Sequence, residues 1–316
     1  MMNKFLLIPL ALLFSCGSVK TNNAQTSVGT QLLKDVETLS LDTYEGRKTG
    51  TKGAEMARTY LTGRLKSIGL KPYPGFSTYE QTFEVKGRNG APAVEGKNLI
   101  AYIPGKTNDV IVISAHYDHI GIIKNEVFNG ADDNASGVAG LLQFAKYFAK
   151  NKPNNTLIFA IFDAEEMGLQ GAKAFVAKPP VALEKIKLNI NMDMISHNDK
   201  GELYAAGTFK YPELKPFLYT TNPKIKLLLG HDDPKLGQDD WTNQSDQGAF
   251  NAKNIPFIYF GVEDHKDYHK ATDEYQNINK EFFIDAANVI QSVIINIDSQ
   301  RDLKTVFREK LQMQKQ

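Results

Sequence analysis

His116, Asp118, Glu165, Glu166 and Asp193 stand at or just past the ends of short apolar runs, with Asp132 and Asp133 in the loop between two of them, and imidazoles and carboxylates so placed can bind divalent cations or move protons. Residues 111–115 lead into His116-Tyr117-Asp118, residues 157–162 into Asp163-Ala164-Glu165-Glu166, and residues 186–192 into Asp193. No thiolate is among these groups. Oxygen and nitrogen donors suit zinc, manganese or cobalt in a reactive site better than a structural zinc knuckle. If His116, Asp133, Asp193, one of the two adjacent glutamates and one downstream histidine hold two ions, three carboxylates and a bridging hydroxide balance four positive charges. Neighbouring side chains leave the backbone in different directions, so Glu165 and Glu166 do not both ligate; one binds metal and the other serves as general base. Asp118, two residues beyond His116, falls on the same side of an extended strand and can accept the free imidazole N–H. Caps offer a simpler account of Asp132 and Asp133, which precede a helical pattern. Capping explains one acid but not its place between two strands that both end in ligand types.

These groups meet only if the elements carrying them are adjacent. Apolar runs of this length, separated by helical patterns, predict strands of a largely parallel sheet buried on both faces, with ligands beyond the carboxyl ends. Helical spacing predicts helices over 28–41, 53–68 (stopped by Gly69), 138–148 and from 280 to about 312. Strands are expected over 76–86, 98–103, 202–206, 224–229 and 255–260, with 87–96 as a hairpin and 120–129 as a loop. No composition shift divides 28–316, so the expectation is one three-layer α/β domain: a mixed, mostly parallel central sheet flanked by helices.

The chain has 316 residues, 42% hydrophobic and 23% charged, with a formal net charge of +1. That balance gives no field of one sign to gather nucleic acid or an anionic membrane surface. Residues 5–14 form an apolar run of about 10, a signal-peptide core and far short of the roughly 20 that span a bilayer. The run ends at Leu13-Phe14-Ser15-Cys16, and Cys16 is the only cysteine. This arrangement resembles a bacterial lipobox. The reading is a lipoprotein signal peptide over 1–16, a flexible tether over 17–27, and a catalytic domain over 28–316, exported and held to a cell-envelope membrane only through lipid on Cys16.

Taken in order, Ser114-Ala115-His116-Tyr117-Asp118-His119, Gly130-Ala131-Asp132-Asp133-Asn134-Ala135-Ser136-Gly137, Ala164-Glu165-Glu166-Met167-Gly168, Asn191-Met192-Asp193-Met194 and Tyr268-His269-Lys270-Ala271-Thr272-Asp273 resemble the metal motifs of the co-catalytic zinc exopeptidases, peptidase family M28. That family contains bacterial leucyl aminopeptidases, glutamate carboxypeptidases and glutaminyl cyclases. The resemblance implies two zinc ions bridged by Asp133, one completed by Glu166 and His269 and the other by His116 and Asp193. It also implies Glu165 as base, Asp118 behind His116, a cis Asp133-Asn134 peptide, and peptide substrates cleaved at the amino terminus. Phe260 and Tyr268 are expected in the core or in the cleft wall, where they can touch a substrate side chain; the cleft mouth is one place for His119, and His197 and His231 are expected at the surface. The chain departs from the family at Ser245-Asp246-Gln247, where many relatives have Ser-Asp-His. It also has Trp241-Thr242 where aminopeptidase relatives carry an oxyanion-stabilising Tyr. A one-zinc cyclase, a carboxypeptidase using Arg47 or Lys270 to bind a substrate carboxylate, and a non-catalytic binding lipoprotein are the competing readings.

Overall fold

In a computed structural model, residues 20–87, 90, 92–300, 303 and 306 are described. Along the chain come α1 (Lys20–Leu39), α2 (Lys52–Ile68), β1 (Lys71–Pro72), β2 (Glu80–Val85), β3 (Val94–Ile103), β4 (Val110–His116), β5 (Gly121–Ile123), β6 (Glu126–Phe128) and α3 (Gly137–Lys150). Then follow β7 (Thr156–Phe162), α4 (Gln170–Ala177), β8 (Ile186–Met192), β9 (Glu202–Ala206), β10 (Lys226–Leu229), α5 (Gln247–Asn251), β11 (Phe257–Gly261) and α6 (Lys280–Asp298).

The main sheet runs β1-β3-β7-β4-β8-β11-β9-β10, with β2 also paired to β3. β7, β4, β8 and β11 are mutually parallel, while β3 and β9 run antiparallel to their central neighbours. The fold is therefore a single α/β domain on a mixed sheet, as the apolar runs predict.

Alternation along the central strands divides the core. Ile111, Ile113 and Ala115 of β4, with Leu157, Phe159 and Ile161 of β7, face a large core closed by α1, α2, α3 and α6. Val110 and Val112, with Ile158, Ala160 and Phe162, face a smaller core under α4 and α5, where the rings of Phe162, Phe175 and Phe250 pack together. Because both faces are covered, β4 is buried at every position. The parallel strands bring His116, Phe162, Met192 and Gly261 to one edge of the sheet, and the loops beyond them carry the candidate ligands.

Several expectations are corrected. α1 begins at Lys20, so 20–27 is helix and not tether; nothing between Lys20 and Ser27 is a Gly or Pro that would stop it. The signal peptide and Cys16 lie outside the described residues. The loop 120–129 contains the β5–β6 hairpin, turned by Lys124 and Asn125 at φ 49° and 68°; three-residue strands are too short to show a period. α4 leaves no clear periodic signal because it is only eight residues long and follows a break at Gly168 and Leu169, both at positive φ. α6 closes at Asp298, whose carboxylate accepts the backbone N–H groups of Asn154 and Asn155. No helix among the described residues is long and apolar enough to cross a membrane.

Candidate active site

β4 ends by placing His116 in the sheet edge with its ring fixed. Its Nδ1–H donates to the Asp118 carbonyl at 3.1 Å, which turns Nε2 toward Asp193 Oδ1 at 3.3 Å and Asp133 Oδ1 at 3.4 Å. The orienting group is thus the backbone oxygen of Asp118. Its carboxylate, expected on the imidazole, instead accepts the backbone N–H groups of Glu165 (3.0 Å) and Glu166 (3.3 Å). Asp118 couples the end of β4 to the glutamate turn after β7, where Ala164 takes φ 58°.

Asp133 stands between two groups of donors. Its Oδ1 faces His116, while Oδ2 lies 3.2 Å from His269 Nε2. Its peptide bond to Asn134 is cis. Neither Asp132 nor Asp133 caps α3. The Asp273 carboxylate accepts both of their backbone N–H groups, and Asp132 accepts the N–H and hydroxyl of Ser196. Asn134 donates to the Met192 carbonyl and accepts from Gly137, tying the loop to β8.

Glu166 has Oε2 3.6 Å from His269 Nε2 and Oε1 2.8 Å from His119 Nδ1. His119 is therefore buried against a ligand, not placed at the cleft mouth. Two sets of donor atoms, each within 4.8 Å of one another, result: His116, Glu165 and Asp193, and His119, Asp133 and Glu166.

The fit of this set to divalent cations rests on its own chemistry. His116 Nε2, Glu166 Oε1 and Asp193 Oδ1 are buried with no hydrogen-bond partner among the described residues, although opposing polar atoms lie close by. Groups that aim at one another make hydrogen bonds; groups that aim at a common point between them do not. Carboxylates crowded away from water carry a penalty of several kcal/mol each unless cations neutralise them. Burial, opposed by His116 and reinforced by Asp193 and Asp246, holds the Glu165 carboxyl well above its ordinary pKa. Burial pushes Asp246 up to about 7. For Glu166 burial is outweighed by its histidines, chiefly His119, and its pKa falls to about 2. For His116 burial is outweighed by Asp193 and Glu165, and its pKa rises. Imidazole and carboxylate donors without sulfur fit zinc, manganese or cobalt.

A cleft of about 330 Å³ opens over these groups, with Trp241, Met194, Tyr259 and Tyr268 in its walls. Phe260 does not line it: on β11 its side chain alternates into the core, where it is fully buried, while that of Tyr259 reaches the cleft. The departure at Gln247 has a structural account. Its side chain accepts from Asn191 and donates to the Trp241 carbonyl, fixing the cleft wall. Arg47 is fully buried and donates to the carbonyls of Leu39, Tyr117, Asn129 and Gly130, so it cannot meet a substrate. His231 and His197 are mostly buried too, His231 stacked on Trp241 and His197 on His265. Residue spacing alone assigns no role to His119, Asp246 or Asp273, although His119 and Asp273 both fall inside the family-like motifs.

The class this defines is an α/β protein whose mixed sheet carries an imidazole and carboxylate cluster beyond the carboxyl ends of its parallel central strands. The chain aligns structurally with an aminopeptidase from Aneurinibacillus sp. strain AM-1 (TM-score 0.65, 18% identity, covering 84% of this chain and 93% of that one). It aligns likewise with a glutaminyl cyclase from Fimbriiglobus ruber (TM-score 0.66, 21% identity, 85% and 95%). In sequence it is 30% identical over 210 residues to leucine aminopeptidase 2 of Trichophyton rubrum, covering 58% of this chain and 41% of the relative. It spans less than half the length of the curated relatives it matches. The model of peptidase family M28 matches residues 98–294, well over half of the chain, and the protein belongs to that family.

Proposed function

We propose that this peptidase is a metal-dependent aminopeptidase that removes residues from the free amino end of peptides. The observation that carries the reading is the convergence of His116, Asp133, Glu166, Asp193 and His269 beside Glu165 at the floor of one cleft. His116 and Asp193 would hold one divalent ion, Glu166 and His269 the other, and Asp133 both, with zinc the expected metal. Bound there, the ions supply Lewis acidity, which polarises the scissile carbonyl and makes water acidic enough to lose a proton near neutral pH. Glu165 accepts that proton and returns it to the leaving amine.

The cleft distinguishes between substrates by charge. Asp133, Glu165, Glu166, Asp193 and Asp264 line it, and no Lys or Arg does among the described residues. With Asp133, Glu166 and Asp193 balanced by the ions, Glu165 and Asp264 remain to match a free amino group and no basic side chain is there to hold a free carboxylate, which disfavours a carboxypeptidase. A one-zinc cyclase has no need of His116, yet its Nε2 lies within 3.4 Å of both Asp133 and Asp193.

An oxyanion donor comes from the walls. Tyr259 donates to the Asp193 carbonyl at 3.1 Å and is committed there. Tyr268 stacks on His269 at 4.0 Å, and its hydroxyl makes no hydrogen bond among the described residues. Burial first, then Asp133 and Asp193, raise its pKa, so its hydroxyl stays protonated and able to donate. Tyr268→Phe should lower kcat about 10²- to 10³-fold with KM little changed; an unchanged kcat removes Tyr268 from the reaction.

The substrate class is tested with aminoacyl, N-blocked and N-terminal-glutaminyl peptides, with and without chelator. Only free aminoacyl peptides should be cleaved, and chelator should stop cleavage until zinc is restored. Cleavage of blocked peptides, or cyclisation without hydrolysis, would overturn the proposal. The same reading puts the enzyme outside the cytoplasm, anchored through acylated Cys16. Labelled palmitate should follow the wild-type chain and not Cys16→Ser, and equal labelling dismisses the anchor.

A further inference from the structure

His119 is used by nothing described so far, and its surroundings are those of a ligand. The side chain is fully buried, with Nδ1 2.8 Å from Glu166 Oε1 and 3.6 Å from Asp133 Oδ2, the oxygen that also faces His269. Despite the 2.8 Å separation, neither ring nitrogen makes a hydrogen bond of acceptable geometry among the described residues. His116 Nε2 shows the same pattern beside Asp133 and Asp193.

The backbone makes room for this ring. Gly130 sits at φ +54°, and a Cβ there would come within 2.0 Å of the Asp133 carbonyl oxygen and 2.6 Å of the His119 ring. A side chain at 130 would collide with both the Asp133 carbonyl and the His119 ring, so the glycine lets the Asp133 loop and the ring pack together. The relation of His119 to His269 also suits a shared ion. A metal lies near the plane of each imidazole that binds it, so two ligating rings must have planes that meet at bonding distance. The rings of His119 and His269 are tilted by 60° with centroids 6.0 Å apart. His197 and His265, which with Asp267 form another group of possible ligands, fail this criterion: they are stacked at 3.9 Å and 22°, so no ion can lie in both planes at bonding distance.

We propose that His119 is a sixth metal ligand, holding one ion together with Asp133, Glu166 and His269, while His116, Asp133 and Asp193 hold the other. The proposal rests on the two-ion reading above. It makes the centre asymmetric: one ion has two imidazoles and two carboxylates, the other one imidazole and two carboxylates. The less-coordinated ion, beside His116, should leave first on titration with chelator. The alternative is that His119 only steadies Glu166 as a hydrogen-bond donor.

The test counts zinc per chain by mass spectrometry in dialysed wild type, His119→Ala and His119→Gln, each loaded with zinc. Glutamine keeps a donor for Glu166 but is a poor zinc ligand. We expect two ions in the wild type; in both variants the ion beside Glu166 should bind more weakly by about tenfold or more and no longer outlast the ion beside His116 when chelator is titrated in. A His119→Gln protein that retains both ions with wild-type affinity reduces His119 to a positioning residue and overturns the proposal. Thermal unfolding of all three proteins in chelator checks the fold without the metals. Zinc-edge X-ray absorption of the wild type needs no variant: three imidazoles per pair of ions support the proposal and two refute it. A wild type that holds a single ion sinks the two-ion reading by itself; His119 would then stand if that ion is lost in His119→Ala and fall if it is kept.

Discussion

Replacing Glu165 by Gln should lower turnover about 10²- to 10⁴-fold, the usual contribution of a positioned general base, while both metal ions stay bound. The amide matches the carboxylate in size and keeps the backbone N–H of residue 165 on Asp118, so the glutamate turn is not disturbed. It cannot accept a proton. Because a Glu165 oxygen lies near His116 and Asp193, the side chain is also placed where a ligand could be. Metal content separates the two roles. An inactive variant with both ions assigns Glu165 as base; loss of an ion makes it a ligand, and unchanged turnover excludes it from the mechanism.

The largest expected effect on stability is at Arg47, fully buried behind the ligand loops. Its guanidinium serves four backbone carbonyls from three segments: the end of α1, the residue between His116 and Asp118, and the approach to Asp132 and Asp133. Burial lowers its pKa only to about 10, with Asp273 and Asp133 opposing, so it remains charged. Lysine brings the same charge as a compact ammonium that cannot reproduce the planar fork. Arg47→Lys should therefore leave buried carbonyls unmet and destabilise the fold by about 3–5 kcal/mol, the range for a broken buried charge network. Chemical denaturation of the chelated proteins measures it without the contribution of bound metal. A loss below about 1 kcal/mol, typical of a surface change, would remove Arg47 from that role.

Much of the fold is legible in the sequence because the central strands are buried on both faces. That burial demands unbroken apolar runs, and the runs end where the ligands begin. What is not legible depends on tertiary placement. Asp118 two residues after His116 points to the right neighbourhood, but spacing does not say whether a carboxylate or its own carbonyl takes the imidazole N–H. Phe260 and Tyr259 are adjacent, so which of them faces the cleft turns on strand register, and the expectation for Phe260 is off by one residue. Arg47 looks like a basic group available to substrate because a loop position carries no mark of burial. His119 follows Asp118 directly, and its place against Glu166 depends on how the chain turns after β4, which spacing does not show.

The account depends most on where cations bind. Anomalous scattering at the zinc edge from crystals of the holoenzyme should give two peaks flanking Asp133, one beside His116 and Asp193 and the other beside Glu166 and His269. A single peak, or peaks away from Asp133, would contradict it.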